Sequence, residues 1–195
     1  MSMPSRWADN PHGYGLVSRA LHWGMALMIL WQLLTAIVRA TAEHGALDNV
    51  LWGTHVSVGF TIWWLAILRG VWGLANLSRR PPHEGHPLMR GAATLGHVAL
   101  YALLILEPTL GMLRAFFKGR ELVIYGFPIL VRGDAPRNAV LGSFVSEAHE
   151  FLGWSLFVLI AGHIAMALWH HLVRRDGTLR AMTHGSTAPR LRAGI

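Results

Sequence analysis

The sequence predicts an all-α integral membrane protein, a bundle of four transmembrane helices with both termini on the cytoplasmic side. Of its 195 residues, 53% are hydrophobic and only 14% are charged, whereas a soluble domain has about a quarter charged residues. Four stretches with few or no charges are each about 20 residues long, the length of helix that crosses a hydrocarbon core of about 30 Å. Arginine is also distributed unevenly between the segments that join these stretches.

The expected spans are about 18–39, 48–69, 91–114 and 148–173, and they predict a single membrane domain over residues 1–195. The segments that would lie on one side hold eleven arginines against three acidic residues, and those on the other side hold six basic against seven acidic residues. Since basic residues stay on the cytoplasmic side, the first helix should run outward and the fourth inward.

The longest connection, residues 115–147, is expected on the outer side. It contains an apolar segment, residues 123–130, that is too short to span and predicts a re-entrant or interfacial cap. Four tryptophans near span ends are typical of interfacial anchors. They are Trp23, Trp52, Trp72 and Trp169.

Composition excludes several classes of protein. The chain has no cysteine, which excludes disulfide frameworks, thiolate metal sites, iron–sulfur clusters and covalently attached haem. The formal net charge is +7, but the basic residues follow membrane topology, so lipid rather than nucleic acid is the expected partner.

Five histidines lie within or at the mouth of the expected spans: His22, His55, His97, His149 and His163. Ionisable residues in a span are costly, face the bundle interior and are functional candidates by default. The alternative is that each one hydrogen-bonds a carbonyl group across the bundle.

Helix geometry sorts four of these histidines by depth. His149 and His163 lie 14 residues apart on the fourth helix, so they differ by only about 40° in direction and by about 21 Å in height. His22 should lie in the inner half, level with His163, and His55 in the outer half, closer to His149. Two histidine pairs are therefore expected, one in each leaflet.

Haem iron is the cofactor that fits such pairs, because two neutral imidazoles on facing helices fill both axial positions. Zinc is less suited, since it prefers four tetrahedral ligands. The residue one turn after each paired histidine is small and would leave a flat space for the macrocycle; these residues are Ala26, Gly59, Gly153 and Ala167. His97 is instead followed by Tyr101, which argues against a fifth ligand. The sequence therefore predicts two non-covalent haems; a metal or proton carrier without haem is the alternative.

Several short motifs resemble the bacterial cytochrome b561 family. They are Ser18-Arg19-Ala20-Leu21-His22-Trp23, His55-Val56-Ser57-Val58-Gly59, Leu95-Gly96-His97, His149-Glu150-Phe151-Leu152-Gly153, and Gly162-His163 through His170-His171. The resemblance extends over about residues 14–180 and is specific in the order of the four histidines. One departure is Thr94, where relatives have a second histidine three residues before His97, and it weakens any two-histidine contact with quinone.

The resemblance implies a multi-pass cytochrome of the bacterial inner membrane with two haem b groups, ligated by helices 1 and 4 and by helices 2 and 4. It further implies electron transfer with quinone. Small stand-alone relatives are similar to superoxide oxidases, in which electrons pass from superoxide to the periplasmic haem, the inner haem and ubiquinone. The alternative is a cytochrome b subunit that anchors a dehydrogenase or hydrogenase, as a redox partner protein, to the quinone pool. The sequence leaves the oligomeric state open.

The outer connection is unusually basic for its side of the membrane. Its candidates for steering the superoxide anion are Lys118, Arg120, Arg132 and Arg137. With Arg114, and against Glu121 and Asp134, they give a net charge of +3, which would attract a small anion. The alternatives are a solvated loop, or pairing of Arg114 with a haem propionate.

Further candidates lie toward the inner side. Arg19 and Arg69 would neutralise haem propionates, and their alternative role is positive-inside anchoring. His97 and His170 would lie at a similar inner level and could supply hydrogen bonds or protons to a quinone headgroup. For these two the alternative is a propionate contact or an interfacial histidine.

Overall fold

Four long helices dominate the computed structural model, which describes residues 6–11, 13–41, 45–80, 86–133 and 137–185. They are α1 (Leu16–Thr41), α2 (Ala46–Ala75), α3 (Pro87–Phe117) and α4 (Ala139–Trp169). Their most apolar stretches have a mean hydropathy of 1.5 to 2.0. The helix α4 continues as a π-helical turn, His170–Arg174, and a short helix, α5 (Thr178–Thr183), follows. The predicted four-helix membrane fold is confirmed.

The helices run further than the apolar stretches predict. The helix α3 continues to Phe117 and α4 already begins at Ala139, so the connection between them is shorter than the expected 115–147. Helical hydrogen bonding does not stop at the first charged residue, and the Asn138 side chain caps α4 by accepting a hydrogen bond from the Leu141 amide at 3.0 Å. The helices on either side of this connection are therefore longer than the apolar stretches alone.

Consecutive helices pack against each other. Close backbone packing in the described residues joins α1 to α2, α2 to α3 and α3 to α4, whereas α4 faces α1 and α2 mainly through side chains. A buried cluster with members from all four helices fills the centre: Met25, Ile62, Ala66, Leu104 and Leu156. The paired histidines therefore join helices whose backbones are not in close contact.

The apolar segment of the outer connection forms a β-hairpin packed against α2. Its strands are β1 (Leu122–Ile124) and β2 (Phe127–Leu130). The two-residue turn has positive φ at Tyr125 (51°) and Gly126 (83°), as a type I′ turn requires. The Tyr125 amide donates to Ser57 Oγ at 3.0 Å and its phenol contacts the Thr61 hydroxyl. These contacts hold a non-glycine residue in a left-handed conformation.

A segment before α1 caps the start of that helix. The Asp9 side chain is buried and accepts a hydrogen bond from the Gly15 amide at 2.9 Å, while the Leu16 amide donates to a carbonyl of the same segment. The second Asp9 oxygen pairs with Arg80 at 3.4 Å. The segment thereby satisfies free amides at the start of α1 and links that helix to the inner end of α2.

We expect Gly15→Ala to destabilise the protein by about 1 to 3 kcal/mol, the usual cost of overpacking. A β-carbon at Gly15 would lie 2.4 Å from the Trp7 carbonyl oxygen and 2.5 Å from Ala8 backbone atoms, so the whole segment would have to move. Thermal unfolding in detergent measures the effect. Gly53→Ala is the matched control because nothing lies within 4 Å of its added β-carbon; an equal loss of stability in the control would contradict the steric explanation.

Candidate functional site

The structure brings the four histidines together in two pairs. The ring centres of His22 and His163 are 6.3 Å apart, and those of His55 and His149 are 6.5 Å apart. The ring planes within the pairs are inclined at 71° and 86°. Each pair joins a histidine of α4 to one of α1 or α2, across the space between those helices.

The pair His55–His149 is called the outer pair here, after its expected depth, and Nδ1 of both of its histidines faces an acceptor. The Thr35 hydroxyl donates to the Gln32 carbonyl at 2.7 Å, so its oxygen accepts the proton of His55 Nδ1 at 3.0 Å. His149 Nδ1 lies 3.0 Å from the Glu107 carbonyl oxygen and 2.9 Å from Glu107 Oε2. Because a neutral imidazole carries one proton, these contacts assign it to Nδ1 and leave Nε2 free as a ligand.

An aromatic stack extends from the outer pair toward the first residues of α2. The Trp52 ring stacks on His55, with ring centres 4.4 Å apart and planes inclined at 23°. The Arg39 guanidinium lies over the Trp52 ring, 5.4 Å from its centre, and pairs with buried Asp48 at 2.5 Å. Trp52 therefore fixes the His55 ring, and its interpretation as an interfacial anchor alone was incomplete.

The other pair, His22 and His163, is called the inner pair, and it has a cationic neighbour instead of an acceptor. Arg69 Nη2 lies 3.1 Å from His22 Nδ1, and the same guanidinium lies 5.5 Å from the Tyr101 ring centre. A guanidinium only donates, so in this arrangement Nδ1 of His22 accepts. The His97 ring centre is 5.6 Å from that of His163. The structure thus places His97 beside this pair, a contact that the sequence did not predict.

His170 points away from the inner pair toward the end of α4. Its Nδ1 lies 2.5 Å from Asp176 Oδ2. Burial would raise the pKa of Asp176, but hydrogen bonds from His170 and Thr178 outweigh it and hold this pKa below its usual range. In the segment before α1, burial raises the pKa of Tyr14, an effect that Arg80 partly offsets. His170 is thus already paired with Asp176 at the end of α4.

The outer connection folds into a basic cleft of about 710 Å³ between the ends of α3 and α4. Its charged lining residues are Lys118, Arg120, Glu121, Arg132 and Arg137. All four predicted steering residues therefore meet in one place, although Asp134, the other acidic residue of this connection, lies outside the described residues. Partial burial and the neighbouring cations Arg114 and Arg120 lower the pKa of Lys118. Arg114, in the last turn of α3, interacts electrostatically with both Arg120 and His55.

Comparison with known proteins assigns the family. Residues 13–185 match the model of prokaryotic cytochrome b561. The chain belongs to the prokaryotic cytochrome b561 family. It is 28% identical over 191 residues to cytochrome b561 homolog 2 of Escherichia coli (strain K12), covering 93% of this chain and 97% of that protein.

Two further relatives in the family are more distant. Cytochrome b561 homolog 1 of the same strain is 27% identical over 165 residues, 83% of this chain and 92% of that protein. A protein of Yersinia pestis named probable superoxide oxidase CybB is 24% identical over 169 residues, 87% of this chain and 94% of that protein. Membership of the cytochrome b561 family makes the chain a multi-pass membrane cytochrome that binds haem b.

The residues present fit the haem b that the cytochrome b561 family implies. A metal–imidazole bond is about 2 Å long, so two imidazoles on opposite sides of one metal ion have ring centres about 6 Å apart. The separations of 6.3 and 6.5 Å match this value. In the outer pair the protonated Nδ1 atoms also leave both Nε2 atoms available.

Two of the three predicted propionate-binding arginines have unused donors. Among the described residues, Arg19 Nε and Arg114 Nε are buried without a hydrogen-bond partner. Arg19 also donates to the Thr183 carbonyl at 2.9 Å. The third, Arg69, donates to His22. If His22 binds iron through Nε2, its Nδ1 carries the proton, and the Arg69 guanidinium becomes free for a carboxylate such as a propionate.

The expected flat spaces beside the histidines are partly filled by polar side chains. A β-carbon at Gly59 would lie 3.1 Å from Gln32 Nε2, and one at Gly153 would lie 3.6 Å from Glu107 Oε2. These two glycines therefore also admit the side chains that surround the outer pair. Sequence reasoning missed the roles of Thr35, Gln32 and Glu107; the signal available for them was a polar residue within an apolar span.

Proposed function

We propose that this cytochrome is an oxidoreductase of the bacterial inner membrane that takes electrons from superoxide on its outer side and delivers them to ubiquinone. The observation that carries the proposal is the basic cleft, which gathers four cations between the end of α3 and the start of α4; His149 lies in the same half of α4. Positive charge on the outer side opposes the usual topological distribution, so it calls for a function there. The relative named as a probable superoxide oxidase supports the same activity.

The four paired histidines would hold two haem b groups, one through His55 and His149 and the other through His22 and His163. When bound, these groups would supply one-electron transfer between the two sides of the bundle. Thr35 and Glu107 orient the outer imidazoles by fixing their protons on Nδ1. Trp52 prevents rotation of the His55 ring by stacking on it.

The basic cleft raises the local concentration of the superoxide anion. The positive charge of Arg114 interacts with Lys118 and Arg120 at the cleft and with His55 of the outer pair. The field that attracts an anion into the cleft therefore extends toward that pair. Oxidation of superoxide releases neutral dioxygen, which the cations do not retain.

Quinone reduction is proposed at the inner side, with His97 as the residue that holds the headgroup or donates a proton to it. Its ring lies next to His163, so a group bound there is close to the inner pair. His170 is less suited, because its Nδ1 is already paired with Asp176. Replacement of His97 by phenylalanine should slow quinone reduction and leave the haem spectra unchanged.

The proposal is tested by adding superoxide to the purified protein with a soluble ubiquinone analogue and following quinone reduction. The triple variant Lys118→Gln/Arg120→Gln/Arg132→Gln should reduce the second-order rate constant by about tenfold at low ionic strength, within the range of electrostatic steering. Its rate should also fall less steeply with added salt, because exposed charges are screened.

The double variant Arg175→Gln/Arg180→Gln is the matched control, since it removes positive charge from the inner side. It should leave the rate constant and its dependence on salt unchanged. A rate that ignores both salt and the triple substitution would overturn steering by the basic cleft. Stable co-purification with a dehydrogenase or hydrogenase, without superoxide-dependent reduction, would instead establish the electron-transfer subunit.

A further inference from the structure

Glu107 is a buried carboxyl group that the proposed function does not use. It lies within the apolar part of α3 and only 7% of its surface is exposed. Its Oε1 atom is buried and has no hydrogen-bond partner in the described part of the chain. A carboxylate at such a position in a membrane is costly, so its retention in the span requires a specific contact.

That contact is with His149. Glu107 Oε2 lies 2.9 Å from His149 Nδ1, and the Glu107 carbonyl oxygen lies 3.0 Å from the same nitrogen. One N–H group therefore faces two acceptors of a single residue. The backbone acceptor alone fixes the Nδ1 proton, so orientation of the ring does not explain the carboxylate.

Two glycines allow the carboxylate and the imidazole to approach. A β-carbon at Gly153 would lie 3.6 Å from Glu107 Oε2, and one at Gly111 would lie 3.4 Å from His149 Cε1. Both separations are ordinary van der Waals contacts, so alanine would still fit at either position, whereas a longer side chain would meet the carboxylate or the imidazole.

We propose that Glu107 is a positioning residue that lowers the reduction potential of the outer haem through His149. A carboxylate held 2.9 Å from the protonated Nδ1 increases the electron density on the imidazole, and this favours the oxidised over the reduced iron. The inference rests on ligation of haem by His149, a part of the proposed function, and not on the identity of the electron donor.

The surroundings of His55 and His22, the partners across each pair, make this contact distinctive. His55 meets the neutral hydroxyl of Thr35, and His22 meets the cation of Arg69. Negative charge thus lies at the outer pair and positive charge at the inner pair, although Arg114 opposes this difference from the His55 side. A lower potential at the outer pair makes inward electron transfer energetically favourable.

An optical redox titration of the purified, haem-loaded protein tests the inference. In Glu107→Gln the outer haem should titrate at a higher potential than in the parent protein, while the inner haem serves as an internal reference and stays unchanged. The g-values of the oxidised outer haem in electron paramagnetic resonance should shift too, since they report the electron density of the ligand. The backbone acceptor of residue 107 is retained in this variant, so the His149 tautomer is preserved.

Glu150→Gln is the matched control, because it removes the same charge from an exposed residue next to His149 in sequence. It should change the outer potential much less than Glu107→Gln does. If Glu107→Gln does not accumulate with haem, Glu107→Asp supplies the same measurement, since it keeps the charge but withdraws it from Nδ1.

An unchanged outer potential and unchanged g-values in a fully loaded Glu107 variant would overturn the inference. An equal shift in Glu150→Gln would also overturn it, because the effect would then be one of charge at a distance. A protein that shows the expected shift but does not oxidise superoxide would contradict the proposed activity and leave this inference supported.

Discussion

Replacing His149 by alanine is expected to remove one of the two proposed haems from the purified protein. His149 is the α4 partner of His55, at a ring separation of 6.5 Å, and a haem with one axial imidazole in a bundle interior has lost half of its attachment. Replacing His163 should remove the other haem, since its partner is His22 at 6.3 Å. Pyridine haemochrome quantification against protein concentration should fall from two haems per chain to about one in each variant.

His171→Ala is the matched control, because His171 lies at the end of the same helical segment and lines a small cavity with Arg175 and Arg180. It should retain two haems. The visible spectra of the His149 and His163 variants should also differ from each other, because each keeps a different site. Full haem content in both variants would contradict the assignment of these two histidines as haem ligands.

Replacing Arg39 by glutamine is expected to cause a large loss of stability. Asp48 has only 1% of its side chain exposed and pairs with Arg39 at 2.5 Å, while 35% of the Arg39 side chain is exposed. Breaking a buried ion pair from one side costs about 3 to 5 kcal/mol, and partial exposure of Arg39 brings our expectation for Arg39→Gln to about 2 kcal/mol. The variant should unfold at a lower temperature in detergent.

The same substitution should loosen the outer haem, because Arg39 also lies over Trp52, which stacks on His55. Arg90→Gln, an exposed arginine at the other end of the bundle, is the control and should change neither property. The double variant Arg39→Gln/Asp48→Asn should recover part of the stability, since it removes the buried charge as well. No recovery would show that packing of Arg39 on Trp52, and not the ion pair, is what matters.

Depth was predictable from the sequence, whereas side-chain contacts were not. A helix rises by about 1.5 Å per residue whatever its neighbours are, so the level of each histidine follows from its position in the span. The contacts of His149 with Glu107 and of His55 with Thr35 depend in addition on how each helix is rotated about its axis. That rotation is set by packing among all four helices, so no simple pattern in the sequence predicts it.

The connections were predicted less well than the helices. Residues 123–130 were recognised as apolar and too short to span, but their hairpin form depends on positive φ at Tyr125, which no general preference for tyrosine indicates. The basic residues of the outer connection were recognised as candidates, yet only the fold shows that they line one cleft. Sequence separation hides such proximity when the intervening loop is irregular.

The attachment of α5 has a consequence for how the chain tolerates change. Arg19 and Trp23 of α1 hold α5 by donating to the main-chain carbonyls of Thr183 and Met182, at 2.9 and 3.0 Å. Every amino acid supplies such a carbonyl, so these two hydrogen bonds depend on the two donors in α1 and hardly on which side chains α5 carries. The sequence of α5 should therefore vary freely among homologous chains while α5 stays attached to α1. Sequence variation in α5 then says little about loss of function.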